Sequence, residues 1–542
     1  MKKALFIWTI LFSATLLHAQ TPEWLWAESS EDNYYVETGR TVCTDADGNV
    51  FVAGDFLGQN MIVENDTLIN TISTGDKSDV FIIKYSPSGN VIWAKTANGN
   101  SWDEIYGVCT DPDGNVLITG RFASDSISFD DFTLLNSGVT DIFIVKLDSN
   151  GNVLWAKNPT GIFYERGYDI CTDLMGNIYI TGGFYSPEIV FGDDTLTRIG
   201  TNGDFFIAKY DSSGTALWAK NAIDALSNSI CIDSQGNVLV SGWYTNTSIV
   251  FENDTLISMG SSDIFIVKYD ENGNVLWTKT AGGLNEEKCN GISCDTYDNI
   301  YITGYFRSQI AIFGNDTLTN SAYTGYADDI FIAKYDASGN MIWVKSQGGI
   351  GGDQGFGIDV GPDGNLWATG FIADTYIYIA KYDSSGFNLF TDSIGNSGSG
   401  GMGFCITTDT YQNVLVTGQY IGPTLAFGSN ILTNADASGT YPDFFVAKLH
   451  DNITSLNENQ NTGIVQIFPN PCHSQAVLQS DIQLNQAVIT VVDIYGQTVK
   501  HIKNIGERTV TLNFDNLKSG LYFVFLTMDN KIIATEKLMI ID

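Results

Sequence analysis

Histidine is nearly absent from this chain. Its 542 residues hold four, His18, His450, His473 and His501, so residues 20–449 contain none. A Ser–His–Asp or Cys–His nucleophilic site, or a zinc held by imidazoles, is excluded from that stretch. Basic side chains are also scarce, 27 against 62 acidic ones, for a net charge of −35. Phosphate backbones are gripped by clustered Lys and Arg, so a nucleic-acid partner is not expected. Beyond residue 19 no apolar run approaches the ~18 residues of a membrane span, and no transmembrane segment is expected. Proline is low at 10, and charged residues make up only 16%. What is abundant is Gly, at 55 residues, and apolar side chains, at 44%. Together with frequent Val, Ile, Tyr, Phe and Thr, this composition points to many short strands joined by tight turns.

Residues 1–19 read as a secretory signal. Lys2 and Lys3 precede an apolar run over residues 4–17, and Leu17-His18-Ala19 offers a small-residue cleavage site. No Cys follows that run, so a lipoprotein anchor is not expected, and the mature chain should be exported.

One stretch then recurs. From Gly107 it runs GVCTDPDGNVLITGRF, then SFDDFTLL, then TDIFIVKLDSNGNVLWAK. The Asn of its first turn falls at Asn49, Asn115, Asn177, Asn237, Asn299, Asn365 and Asn413, which counts seven copies. Turn residues at 111–115 and 149–152 divide a copy into four strands, the pattern of one propeller blade. An insertion such as Phe251-Glu252-Asn253-Asp254-Thr255-Leu256 separates strands two and three, except in copy six. The fourth-strand Trp appears at Trp93, Trp155, Trp218, Trp277 and Trp343, with Phe390 in copy six. Copy seven stops after its third strand, while an orphan strand, Trp24-Leu25-Trp26-Ala27, precedes copy one. It should complete the last blade and remove an exposed sheet edge. These residues resemble the seven-bladed β-propeller repeat family of bacterial secreted proteins, which implies a fold but no particular activity.

Residues 450–463 are a polar, Asn-rich linker, and residues 464–542 carry no copy of the repeat. Alternating segments at 464–468, 487–494, 510–514 and 521–527 suit a small Ig-like β-sandwich. Phe468-Pro469-Asn470-Pro471, Tyr495-Gly496-Gln497, Leu517-x-x-Gly520-Leu521-Tyr522 and the terminal Lys537-Leu538 look like the type IX secretion C-terminal sorting domain of Bacteroidota. Cys472 and Gln497 stand where Phe and Arg are commoner. The resemblance implies engagement of the type IX machinery, passage through the outer membrane, removal of the module, and attachment to the cell surface or release. The expected fold class is therefore all-β: a seven-bladed propeller closed by the N-terminal strand, then a small sandwich.

Several residue sets are candidates for chemistry. Cys43, Cys109, Cys171 and Cys231 recur six residues before the turn Asn and read as buried thiols rather than disulfides; pairing of Cys289 with Cys294 stays open. The turns at 45–49 and 111–115 offer alternate oxygens to calcium, but Asp, Gly and Asn are also what a hairpin selects. Otherwise no metal or cofactor is expected. Asp79, Asp141, Asp204, Asp263, Asp329 and Asp443 precede the third strands and should accept local backbone N–H groups, or else form a cation or ligand ring. In the insertions, Asp-Thr should make the hairpin turn and Leu should pack it down. The same Asp-Thr-Leu resembles the acceptor of Bacteroidota O-glycosylation, at Thr67, Thr195, Thr255 and Thr317.

The loops between a fourth strand and the next first strand vary most and share a face with the insertions. Trp102, Asp103, Glu104, Tyr164, Glu165 and Asp353 are the ligand-binding candidates there, because aromatic faces and acids suit a sugar or a protein surface. The reading is a secreted or cell-surface, non-catalytic binding or display module for a glycan or protein, with the question of enzymatic activity left open. Alternatives are a carboxylate-dependent glycan-cleaving enzyme on that face and a structural surface-layer component.

Overall fold

The computed structural model describes residues 22–540 except 32–34, 71–76, 322–326, 396–398, 437, 452–464, 469, 471, 481–482, 494–497, 515–516 and 529–530. The signal candidate at 1–19, nearly all of the linker, and Pro469, Pro471, Tyr495 and Gly496 thus lie outside the described residues. The chain divides into two units, Met1–Ile453 and Thr454–Asp542.

In the first unit each copy of the repeat builds an antiparallel sheet of four strands, in chain order for the first six copies; that of the fourth copy is extended to six strands by the insertion hairpin of the fifth. The second copy, for example, uses Asp103–Thr110, Val116–Phe122, Asp141–Leu147 and Val153–Lys157. The first strands of the seven sheets, here numbered 1 to 7, are Glu37–Thr44, Asp103–Thr110, Glu165–Thr172, Ala225–Ile232, Glu287–Cys294, Gln354–Val360 and Gly400–Thr408. Each first strand lies against the first strand of the next sheet, and that of sheet 7 lies against that of sheet 1. The outer strand of sheet 7 is Glu23–Glu28, which pairs antiparallel with Asp443–His450. Trp26 falls opposite Lys448, as Trp93 falls opposite Lys84 and Trp155 opposite Lys146.

The recurring turn explains itself locally. Asp111 Oδ1 accepts the N–H groups of Asp113 and Asn115, the Asn115 amide donates to the same carboxylate, and Gly114 takes φ +77°. The carboxylate oxygens that calcium would need here already hold an ammonium: Lys146 Nζ lies 2.8 Å from Asp111, and Lys84 Nζ 3.5 Å from Asp45. That buried lysine also stitches the sheets together. Lys84, Lys146, Lys209, Lys268 and Lys334 donate to turn carbonyls of the following sheet, at Ser149, Ser212, Glu271, Ala337 and Ser384. Lys448 of sheet 7 donates to Pro87 of sheet 1, at 3.3 Å. Fourth-strand indoles donate to the same carbonyls, and Trp26 Nε1 reaches Pro87 at 3.1 Å. Lys381 of sheet 6 faces Asp363 and Asp451 instead, because its next neighbour has the N-terminal strand where that turn would be.

Six copies carry the insertion as a two-stranded hairpin, and copy six lacks it, as expected. The hairpin turn, however, is not Asp-Thr. Asp66 pairs with Val63 inside the ladder, so the turn sits on Glu64-Asn65, and Glu64 adopts φ +52°. A two-residue turn of that hand matches strand twist, which moves Asp-Thr into the second strand. The Leu is buried as expected, and the preceding Phe stacks on a third-strand Phe: Phe191 on Phe206 at 4.9 Å, Phe313 on Phe331 at 5.0 Å. Third-strand carboxylates accept loop N–H groups, Asp204 from Ile199 at 2.7 Å and Asp443 from Ala435 at 2.8 Å.

The cysteines need one correction. Cys231 does have a sulfur neighbour: Cys294 Sγ, from the next sheet, lies 2.6 Å away. Cys289, by contrast, is buried against Gly291 O and Thr303 O, turned away from Cys294.

In the second unit, a three-stranded sheet (Val465–Phe468, Gln475–Ser480, Thr509–Asn513) and a four-stranded one (Thr498–Ile505, Ala487–Asp493, Gly520–Met528, Lys531–Ile540) share one apolar core. Asn470 Oδ1 accepts the Met539 N–H at 2.9 Å, which ties its motif to the terminal strand. Tyr522 is buried and donates to Lys518 O, and Gly520 opens its strand. Lys537 lies opposite Phe523 in the ladder.

Candidate functional site

Every first strand carries a bulge against its second strand, at the same place in all seven sheets. A bulge leaves one residue unpaired and re-aims its side chain, a device common beside binding sites. The seven bulged residues are Arg40, Tyr106, Tyr168, Asn228, Asn290, Phe356 and Phe404. Because consecutive first strands abut, several of these side chains meet their neighbours. Arg40 sits over the Tyr106 ring at 5.4 Å, and the Tyr106 and Tyr168 rings lie 5.5 Å apart. Asn228 donates to Asn290, Asn290 donates to Gly355 O, and Phe356 lies 5.5 Å from Phe404. The result is a belt with three arcs: one cationic and aromatic, one of amides, one of phenyl rings.

A second tier joins the belt from the same strands and their neighbours. Glu104 receives Arg121, Arg40 at 3.7 Å and the Tyr106 hydroxyl at 2.5 Å. These donors hold its carboxyl below the usual range despite desolvation, which is the largest influence and opposes them. Arg40 also pairs with buried Asp55. Across the ring, Glu286 receives Lys288, Arg307 and the Tyr305 hydroxyl, and it too is held low against the larger opposing effect of burial. Arg307 reaches on to Asp328 at 2.8 Å, and Lys288 lies over the Trp243 ring at 4.3 Å.

The six sequence-derived candidates divide. Trp102 and Tyr164 are exposed on their loops, at 43% and 48%, and Tyr164 meets Tyr185 edge-on at 6.4 Å. Glu104 joins the belt. Asp103, Glu165 and Asp353 do not: each is buried and binds its own loops. Asp103 accepts the Ala123 and Ser124 N–H groups, Glu165 the Ser186 N–H and hydroxyl, and Asp353 the Ala373 and Gly349 N–H groups. Burial pushes the Asp103 carboxyl up to about 6 and the Glu165 carboxyl up to about 7. They brace the loops at the strand ends from within. Apart from Glu104, the belt went unread in the sequence. Its one signal is the disagreement of residue type at a single column of an otherwise regular repeat. Thr67, Thr195, Thr255 and Thr317 are all exposed on the insertion hairpins.

Sheets of this kind, repeated in sequence and abutting by their first strands, define a β-propeller repeat protein. Residues 466–541 match the family described as "Secretion system C-terminal sorting domain". That match places the chain among proteins exported through the outer membrane to the cell surface or extracellular space. The chain is 25% identical over 392 residues to an uncharacterized WD repeat-containing protein, L264, of Acanthamoeba polyphaga mimivirus, covering 59% of this chain and 28% of that one. It is 21% identical over 355 residues to the regulatory protein FlaEY of Caulobacter vibrioides, covering 62% and 36%. It thus spans about a third of the length of the curated relatives it matches. Among solved structures, PorZ, a surface component of the type IX secretion system of Porphyromonas gingivalis, aligns at 10% identity and TM-score 0.24 over 95% of this chain and 100% of that one.

Proposed function

We propose that this protein is a secreted or cell-surface binding module. Its seven sheets are blades of one closed propeller (residues 20–449), the N-terminal strand completes the last blade, and the belt receives a glycan or protein ligand. Residues 1–19 direct export, residues 450–463 link, and residues 464–542 engage the type IX machinery.

The observation that carries the binding reading is the bulge repeated in all seven first strands, which sets side chains of four different types, Arg, Tyr, Asn and Phe, at equivalent places and brings neighbouring ones into contact. Support for a non-catalytic role comes from the acids. A glycosidase needs one carboxyl kept protonated near neutral pH. Glu104 and Glu286 are held ionised by arginines and tyrosines, and Asp103, Glu165 and Asp353 are buried under their own loops.

Native electrophoresis of the mature chain through gels containing embedded polysaccharides, with the polymers sized afterwards, tests this. Retarded migration with intact polymer supports a glycan-binding module. Shortened polymer overturns it in favour of a hydrolase, and unretarded migration through every polymer removes the glycan ligand.

A further inference from the structure

The belt is electrically uneven. The chain has six arginines, and four of them, Arg40, Arg121, Arg166 and Arg307, stand at the belt or beside it. Around the Glu286 arc the charges cancel: Lys288 and Arg307 against Glu286 and Asp328. Around Tyr106 they do not. Arg40, Arg121 and Arg166 face Asp55 and Glu104, three cations against two anions.

The surplus is Arg166. Among the described residues its buried Nε has no hydrogen-bond partner, and its one side-chain bond is a long 3.5 Å donation to the Tyr168 hydroxyl. A guanidinium carries five N–H donors in a planar fork that fits a carboxylate, and here almost all of them are unused. The ladder around it also differs from that of the other sheets. The residue opposite Arg166 in the ladder is Gly183, where the other sheets carry Asp55, Arg121, Trp243, Tyr305, Phe371 and Gln419. Leu226 of the next sheet fills that place, 2.5 Å from where a Cβ on Gly183 would stand, with the half-buried Tyr168 ring 3.8 Å from the same point. Tyr185, also half-buried, lies close enough to feel the charge of Arg166.

We propose that Arg166, with Tyr106, Tyr168 and Tyr185, is a carboxylate-reading subsite that takes a single uronate of a largely neutral glycan. The guanidinium fork holds the carboxylate, and the tyrosine faces take the pyranose. The inference rests on the binding role given to the belt. The commitment to one isolated uronate follows from charge. There is one surplus cation in the arc, on a chain of net charge −35 that repels a dense polyanion. At physiological salt that repulsion is screened over about 8 Å, which admits a lone carboxylate.

The test is titration calorimetry of the mature protein with three probes. These are a xylo-oligosaccharide bearing one glucuronate, the same oligosaccharide with its carboxyl reduced to the alcohol, and polygalacturonate. The expected result is that the uronate-bearing oligosaccharide binds at least tenfold more tightly than its reduced form and than polygalacturonate per site. Arg166→Gln should bring the uronate oligosaccharide down to the affinity of the reduced form and leave the reduced form unchanged. Equal affinity for the charged and reduced probes overturns the subsite while leaving a glycan-binding belt standing. So does an affinity for the uronate probe that Arg166→Gln does not alter. Binding of none of the three overturns the subsite, and with it the glycan form of the belt's role. Circular dichroism of Arg166→Gln and of Arg166→Lys confirms that each variant is folded before it is titrated.

Discussion

The junction between sheets 7 and 1 differs from the other six, because its outer strand, Glu23–Glu28, is held to Asp443–His450 by hydrogen bonds and packing rather than by the chain running on through a turn. Replacing Trp26 with Ala tests how much that junction bears. The indole is 8% exposed, donates to Pro87 O at 3.1 Å, and covers Gly89, where a Cβ would meet its ring at 2.9 Å. Truncating a core Trp costs about 3–5 kcal/mol, and the lost hydrogen bond is worth about 1 kcal/mol. A loss of about 4 kcal/mol is large against a whole-domain stability of about 5–15 kcal/mol. It should act locally first, since opening this strand need not unfold the other sheets. Hydrogen exchange read by mass spectrometry on peptides covering 22–31 and 443–450 is the assay. Amide protection there should fall about a thousandfold, with sheets 2 to 5 little changed. Trp155→Ala, the same contact within a continuous stretch of chain, should leave the N-terminal strand protected. Unchanged protection at 443–450 in Trp26→Ala, or equal release of the N-terminal strand by Trp155→Ala, would refute the latch.

Three further outcomes follow from the structure. Burial raises the carboxyls of Asp103 and Asp169 to about 6 and those of Glu165 and Asp443 to about 7, so the folded state binds more protons than the unfolded one from about pH 4 to 7. Stability should therefore fall as pH rises through that window and level off above it, and Glu165→Gln should remove part of the slope of Tm against pH. Cys231 and Cys294 lie close enough that exchange with a small-molecule disulfide should link them; peptide mapping of the non-reduced protein should then find that crosslink, while one between Cys289 and Cys294 would contradict the packing. Thr67, Thr195, Thr255 and Thr317 are exposed at equivalent places on four insertion hairpins. Intact-mass analysis of the chain from a native host should show added sugar lost stepwise on Thr→Val substitution, and an unmodified mass would dismiss these acceptors.

Local chemistry was enough to read the repeat. Asp-x-x-Gly-Asn writes a turn within five residues and alternation writes the strands, because each depends on near neighbours, while the orphan Trp24-Leu25-Trp26-Ala27 was legible by counting, as the fourth strand that copy seven lacks. The sorting module was legible for the same reason, through ordered short motifs. What sequence misjudged depends on which way a side chain points once sheets are packed. Asp103, Glu165 and Asp353 looked like exposed loop acids, yet they are buried and taken up by N–H groups of those same loops. Asp-Thr looked like a turn, yet the two residues before it, the first of them left-handed, take that role. The lysine that ties each sheet to the next, the approach of Cys231 to Cys294, and the belt of bulged residues each join groups some 60 residues apart. A bulge moves one side chain by one register step, and the abutting of successive first strands brings neighbouring ones together. Neither is encoded by any stretch of chain alone, so the strands belong to the sequence and the belt, with its unneutralised Arg166, to the tertiary structure.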